Sequence, residues 1–594
     1  MKKMRNATKF LALFLIVSMV MLSVMSAAGC AKKDSEDKGA VIQMYLASDP
    51  SNLNLDPGKL MYSAEEIKFL GLIFQGLTTV DENGKVQPGI AKKWTIYEPK
   101  GNDTNYKMVF ELRATKWSDG KPVTADDFAY SWKRILEPEF SSPAAPLLYS
   151  IKNARAIKEG DKTVDDLGVY ADDIRELRIE FDHKIDFNQF LINLASIYLV
   201  PVRSDYVDYE PDTWAKKPMT LVSNGPFAIK QMEYNKITSI ERSTYYLLPG
   251  KKGENIFKYV TPYKLSLDFS QNIKALADAY SSGSSTVFYL GNVPVDKYGE
   301  FASKAVVKDL LSTYSYHFNA TKAPFDKAEV RKALSIALDR NKIAEIASLG
   351  VKPATGIVPH GIIDVKSTDT FREVRGNAID PAGNMEEAKR LLQSVGVTSG
   401  PIEIKVRTSE RGDNAEEAVA AYVADVWRQL GFTVTVNPVK GVGFADALFA
   451  RDYDVIGYDD QAPGVDALSV LAPFAKPFAG GVVTFIDEGK SLTEPYITGF
   501  QNNDYDALME EIMKLDDDIA ARTEKLAQAE KMLVDLSPVA PLYFNVNLNI
   551  TEKISGLSYS KYGYTIFTKA SLKNYHDYTT TEAPKEAATA APAG

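Results

Sequence analysis

Adjacent acids such as Asp126-Asp127 and Asp459-Asp460 set two carboxylates where one can give and the other take a proton. The first pair follows Thr124-Ala125 at the start of an apolar-periodic run, so it reads as a helix cap. The second reads as a surface or ligand contact. Gly489-Lys490-Ser491 resembles the end of a phosphate-cradling loop, but the glycine required five residues earlier is Thr484, and the tight anion-binding turn has no support. Gly441-Val442-Gly443 lacks the third glycine of a dinucleotide loop. No Gly-x-Ser-x-Gly elbow occurs. The four histidines, His183, His317, His360 and His576, are scattered, and no HExxH or CxxC spacing exists to hold a metal. No cofactor or metal is expected. A cell-surface hydrolase has nothing positive behind it, and the chain is read as a non-enzyme.

The single cysteine, Cys30, rules out an intrachain disulfide, but its position is informative. Lys2, Lys3, Arg5 and Lys9 precede an almost wholly apolar run from Phe10 to Met25, too short for a membrane span. Ser26-Ala27-Ala28-Gly29 then leads into Cys30. That order is a secretory leader, and it resembles a bacterial lipoprotein signal cleaved before an acylated cysteine, with Ala27 where leucine is usual. The expectation is a leader over 1–29, lipid on Cys30, and a charged tether over 30–40. The predicted location is the cell membrane, lipid-anchored on the extracytoplasmic face.

The elements that must position any site follow. Ile42 to Ser48 is a predicted strand, and Asp49 to Lys59 is turn-rich. Ala64 to Gly76 reads as an amphipathic helix, Tyr106 to Arg113 and Leu177 to Phe181 as strands, and Val123 to Arg134 as a capped helix. Lys327 to Ala347, with its apolar spacing, and Met385 to Val395 are predicted helices, and Tyr505 to Leu536 reads as mostly helix. The succession of strand Ile402 to Thr408, helix Asn414 to Leu430 closed by Gly431, and strand Phe432 to Val439 predicts a parallel crossover and an α/β domain. Val539 to Ile550 is a further strand. Thr579 to Gly594 is rich in Ala, Thr and Pro and is read as a disordered tail.

At 594 residues the chain has room for two or three domains. A net charge of −9 argues against nucleic acid as a partner, which needs a basic face.

Several long blocks carry a resemblance. Phe110 to Pro138 (FELRATKWSDGKPVTADDFAYSWKRILEP) is the strongest. Ile73 to Trp94, Ser142 to Val169, Ser223 to Phe227, Tyr314 to Arg340, Pro353 to Pro359, Glu386 to Gly396, Tyr505 to Ile512 and Val539 to Asn547 accompany it in order. The chain resembles the oligopeptide-binding group of the family 5 extracellular solute-binding proteins that serve ABC importers, from about Gln43 to Tyr575. The resemblance implies an α/β, periplasmic-binding-protein-like (type II, cluster C) fold, two lobes with an extra inserted domain and a hinge-closing cleft. Domain I would comprise 41–74, 220–313 and 544–578, domain II 75–219 and domain III 314–543. It also implies short peptides as ligands, ABC transporter permease subunits as partners, and a monomer.

In that group an aspartate in a Trp-x-x-Asp-Tyr string, after a Phe-Asp-Val strand, holds the peptide's amino terminus. Tyr453-Asp454-Val455 matches the strand here. By register the anchoring aspartate falls on Pro463, the tryptophan on Asp460 and the strand's arginine on Gly457. Asp459, Asp460 or Asp466 is expected to supply a substitute carboxylate, Asp460 first. Tyr458 lies in the same stretch. By analogy Met61 to Ser63 (Met61 and Ser63 foremost), Gly291-Asn292 and Tyr543 face the cleft, Tyr543 by stacking, hydrogen bonding or plain packing. A receptor for a signalling peptide or another solute is the alternative the altered anchor leaves open.

Overall fold

The computed structural model describes residues 37–46, 55–59, 64–211, 213–216, 221–233, 236–247, 259–268, 273–283, 285, 287–408, 415–479, 484–487, 490–493 and 497–578. The predicted leader, Cys30, most of the predicted tether, Met61 to Ser63 and residues from 579 onward lie outside these residues. From Ala40 onward the chain forms a single unit.

Strand β1 (Val41–Tyr45) buries Ile42, Met44 and Tyr45 and leads to α1 (Ala64–Ile73). The expected amphipathic helix is shorter than predicted, and it is covered on nearly every side. Even Glu66 is 2% exposed. It ends because the chain at Gly225 crosses it, where a Cβ would lie 2.4 Å from the Ile73 carbonyl carbon. Asn224 grips the crossing from both sides, accepting from Gln75 N at 3.0 Å and donating to Gln75 O at 2.9 Å.

A separate antiparallel sheet follows, made of β2 (Ala91–Tyr97), β3 (Tyr106–Leu112), β4 (Val169–Asp173) and β5 (Glu176–Phe181) in the order β2-β3-β5-β4. Helix α2 (Ala125–Leu136) lies between β3 and β4 in sequence and contacts β4 and β5. It opens with the capping box the sequence announces. Asp127 N donates to Thr124 Oγ1 at 3.3 Å, and Thr124 N donates to Asp127 Oδ2 at 2.8 Å. Asp127 is therefore a cap that also accepts from Trp117 Nε1 at 3.1 Å. Gly120, with φ +91°, closes the turn before it.

The second sheet has eleven strands. Its members are β1, β6 (Phe227–Glu233), β7 (Lys236–Arg242), β8 (Lys264–Asp268), β9 (Tyr289–Leu290), β10 (Val306–Phe318), β11 (Gly400–Arg407), β12 (Phe432–Val439), β13 (Val455–Gln461) and β14 (Val539–Thr551), with a short Lys352–Pro353 strand paired to β14. The order is β12-β11-β13-β10-β14-β9-β1-β8-β7-β6. The long strands β10 and β14 pair antiparallel from Val306↔Asn549 to His317↔Val539, with two register shifts, and so join the two halves of the sheet. Leu310 to Phe318 is buried without alternation, as a central strand covered on both faces must be.

The helices α3 (Ala328–Ile336), α4 (Arg340–Ala347), α5 (Met385–Ser394), α6 (Glu416–Gln429), α7 (Gly441–Phe449), α8 (Asn503–Met513) and α9 (Ile519–Leu536) accompany the β10–β14 half. The predicted crossover is present: β11 and β12 run parallel with α6 between them, and Gly431 takes φ +104° after it. The predicted helix over 327–347 is divided, and the mostly helical stretch 505–536 forms two helices. Asp339 caps α4, accepting from Asn341 N at 3.0 Å and Lys342 N at 3.1 Å, so 327–347 becomes α3 and α4. Asp518 likewise caps α9 through Ala521 N at 3.0 Å, which separates it from α8.

Candidate functional site

Parallel strands β11, β12 and β13 all end on one rim of the sheet, and crevices at such ends are where open α/β sheets bind ligands. Arg407 ends β11. Asp459 and Asp460 lie in the last turn of the pleat of β13. Because side chains alternate, Gly457 and Asp459 face one side while Tyr458 and Asp460 face the other. Register against β10 places Tyr316 opposite Gly457, Tyr314 opposite Asp459 and Thr313 opposite Asp460, and β14 places Tyr543 opposite Tyr314.

On the first side sits a closed polar cluster. Glu416, in the first turn of α6, accepts from Arg407 N and Arg407 Nε, each at 3.1 Å, and from the Tyr314 hydroxyl at 3.1 Å. The Arg407 guanidinium also pairs with Asp459, whose other oxygen accepts from Asn545 Nδ2 at 2.7 Å. Burial alone would lower the Arg407 guanidinium, but Glu416 and Asp459 outweigh it and hold it well above its ordinary value. Burial raises the Glu416 carboxyl against the pull of Arg407. Tyr543 stacks on Tyr314 with ring centroids 4.9 Å apart and planes 13° from parallel. It is 7% exposed. Gly457 is needed where it stands: a Cβ would lie 2.1 Å from the Tyr314 hydroxyl and 3.1 Å from Tyr316 Cε1. The space beside it is filled by tyrosine side chains from β10.

On the opposite side, Asp460 Oδ1 is 3.1 Å from His317 Nε2, and Nδ1 of that fully buried ring is 3.2 Å from the Ser315 carbonyl. Tyr458 lies edge-on to the same ring at 5.4 Å and is buried. Asp466 is drawn away to a third place. It pairs with Arg522 of α9, and its Oδ1 accepts from Leu468 N at 2.6 Å. Asn292 follows β9 in the other half of the sheet, with its Oδ1 accepting from Val293 N at 2.9 Å. Gly457, Asp459 and Tyr543 are thus brought into one cluster. Tyr458 and Asp460 share a second, and Asp466 and Asn292 lie in neither. Met61 and Ser63 lie outside the described residues.

Beyond β13 the rim meets the region built on the four-stranded sheet. Ser196 Oγ donates to Pro463 O at 2.5 Å, and Gly464 packs on Leu147. Farther out, Arg155 Nη1 contacts Glu510 Oε2 at 2.8 Å, with the guanidinium 5.0 Å above the Phe478 ring. His183 Nε2 lies 2.8 Å from Asp516 Oδ2, and Asp186 N donates to Asp516 O at 2.9 Å.

Arg407, Glu416, Tyr314, His317 and Ser196 were not foreseen as parts of this rim. Arg407 and Glu416 stand at the end of one predicted element and the start of the next, and the strand-end rule would have singled them out. The others announce themselves only by register. Among the described residues, no cluster of His, Cys, Asp and Glu is arranged to hold a metal ion, and no helix is long and apolar enough to cross a membrane.

Residues 85–481 match the family described as bacterial extracellular solute-binding proteins, family 5. The chain belongs to this family. The periplasmic murein peptide-binding protein MppA of Escherichia coli is 28% identical to this family 5 chain over 551 residues, covering 92% of it and 94% of the relative. The periplasmic oligopeptide-binding protein OppA of Salmonella typhimurium is also 28% identical, over 516 residues, covering 84% and 86%. The solved structure of the Escherichia coli murein tripeptide-binding protein MppA superposes with a TM-score of 0.69 at 25% identity, covering 90% of the family 5 chain and 98% of that structure. The fold is accordingly the two-lobed type II architecture of these binding proteins.

Proposed function

We propose that this family 5 protein captures short peptides outside the cytoplasm and delivers them, unchanged, to the permease subunits of an ABC importer, held at the membrane by a lipid on Cys30. The observation that carries the reading is the pair of long strands β10 and β14 spanning both halves of the large sheet. They supply a hinge connection, while the rim of β11, β12 and β13 turns toward the region around Leu147 and Ser196. Residues 314–543 would form one lobe, and 41–313 with 544–578 the other, with 75–219 as the inserted domain. Closure of such lobes excludes water and strengthens backbone hydrogen bonds to an extended peptide. Both relatives are named for peptides, and this supports the ligand class.

Calorimetric titration of the protein with defined tri- to pentapeptides tests the reading. Saturable binding with a negative heat-capacity change is expected. No heat with any peptide, alongside saturable binding of a sugar or another small solute, would remove it. Peptides recovered intact by mass spectrometry after incubation would agree with capture, and cleaved ones would not. For the anchor, Cys30→Ser in the full chain should shift the protein from the membrane to the soluble fraction. Unchanged fractionation would dispose of the lipid.

A further inference from the structure

A ligand enclosed between two lobes is retained by two kinds of contact. One kind touches the ligand. The other joins the lobes when they are shut, and it counts because only the shut fraction holds the ligand. Contacts of the second kind run along the boundary between residues 75–219 and 314–543. The turn at Gly84 abuts Ser367, whose Cβ would lie 2.6 Å from a Cβ on the glycine. Ser196 Oγ donates to Pro463 O at 2.5 Å. His183 Nε2 lies 2.8 Å from Asp516 Oδ2, and Asp186 N donates to Asp516 O at 2.9 Å.

Arg155, in the short helix Ala154–Lys158, makes the contact with the most parts. Its Nε donates to Glu159 Oε1 at 2.8 Å, which fixes the guanidinium plane from its own segment. Its Nη1 donates to Glu510 Oε2 of α8 at 2.8 Å and its Nη2 to the other oxygen, so two donors meet two acceptors. The same guanidinium lies 5.0 Å over the Phe478 ring, and that ring stands 6.1 Å from the ring of Tyr149. Phe478 is 1% exposed, so an aromatic from one side of the boundary is covered by side chains from the other. Glu510 strengthens the hold of the guanidinium on its proton, and Arg155 keeps the Glu510 carboxyl below its ordinary value. Both members are therefore charged across neutral pH. Arg155, Phe478 and Glu510 all lie off β11, β12 and β13, whose ends form the rim.

We propose that Arg155, Glu510 and Phe478 form a latch across this boundary, which sets how long a captured peptide is retained without touching it. They are positioning residues: they act on the ligand only through the shut state of the lobes. A half-exposed ion pair alone contributes little, but here two parallel hydrogen bonds and an aromatic face add to it. The inference rests on the peptide reading above and adds to it the residues that govern release.

The test measures association and dissociation rates of the full chain with several unrelated tri- to pentapeptides, for the wild type, Arg155→Ala, Glu510→Ala and the double variant. Arg155→Ala should weaken every peptide by about tenfold and Glu510→Ala by about threefold, with the double variant no weaker than Arg155→Ala alone. The loss should appear as faster dissociation at an unchanged association rate. Dissociation from Arg155→Ala within about twofold of the wild type would overturn the proposal, even if its thermal midpoint fell, because a permanent interface would then explain the contact. So would losses that add in the double variant, or a factor that differs from peptide to peptide, which would set Arg155 against the ligand itself. Failure of the wild type to bind any peptide would instead remove the peptide reading, and the same four proteins would then judge the latch with the solute that does bind.

Discussion

Gly457 shows how one residue can govern a rim. The space a side chain would take is occupied by the Tyr314 hydroxyl, and that ring is pinned between its stack on Tyr543 and its bond to Glu416. Gly457→Ala should therefore lower stability by about 1–3 kcal/mol, the usual cost of overpacking a filled interior, seen as a lower thermal midpoint. An unchanged midpoint would mean that Tyr314 steps aside. The Glu530 carboxylate is equally constrained. Its Oε1 accepts from Ile357 N and Val358 N, each at 2.9 Å, and its other oxygen pairs with Arg372, whose side chain is 1% exposed. Glu530→Gln keeps an acceptor but leaves the guanidinium without its counter-charge. A loss of about 3–5 kcal/mol is expected, and a denaturation midpoint close to that of the wild type would refute it.

At the scale of elements, caps set boundaries that apolar periodicity alone missed. Thr124 was legible in the sequence because a capping box is a local pattern of neighbouring residues. Thr124→Ala removes the acceptor of Asp127 N, with an expected loss of about 1 kcal/mol. The check is a melting curve for the variant, and a gain in stability would contradict it. Asp339 and Asp518 sit inside runs whose apolar spacing continues past them. Propensity summed over a window does not say whether a capping aspartate will start a new helix, and here it does so twice. In the same way α1 carries the pattern of a surface helix but is buried on nearly all sides, because the crossing at Gly225 and Asn224 lies far away in sequence.

Across the whole molecule, contacts between the region of the four-stranded sheet and the α8–α9 turn have a titratable member. The His183 ring lies between Asp516 and Asp182, and hydrogen bonding to Asp516, against some desolvation, raises its pKa to about 9 from an ordinary 6.5. Lys184 and Asp186 on its own segment, and Lys514, Asp517 and Asp518 on the facing turn, are the other charged groups nearby in sequence. A raised pKa in the folded state gives stability that is complete below 6.5 and fades as the pH climbs through about 9. Half the side chain meets solvent, so the effect is modest. Melting curves of the wild type and His183→Ala should differ most near pH 6 and converge by about pH 10. A gap independent of pH would show that the ring acts by packing alone.

The amino-acid sequence by itself determined the family, the α/β class, the crossover at 400–439 and the cap at Thr124, since each is written in local spacing or in ordered blocks along the chain. It did not determine which partners the rim carboxylates find. Arg407 meets Asp459 only because β11 and β13 lie parallel and side by side, and Tyr314 reaches Gly457 only through the register of β10. Asp466 is claimed by Arg522 only once α9 packs beside it. A carboxylate's availability depends on which cations the fold brings within a few ångströms, and electrostatic partners far apart in the chain leave no mark on its local pattern.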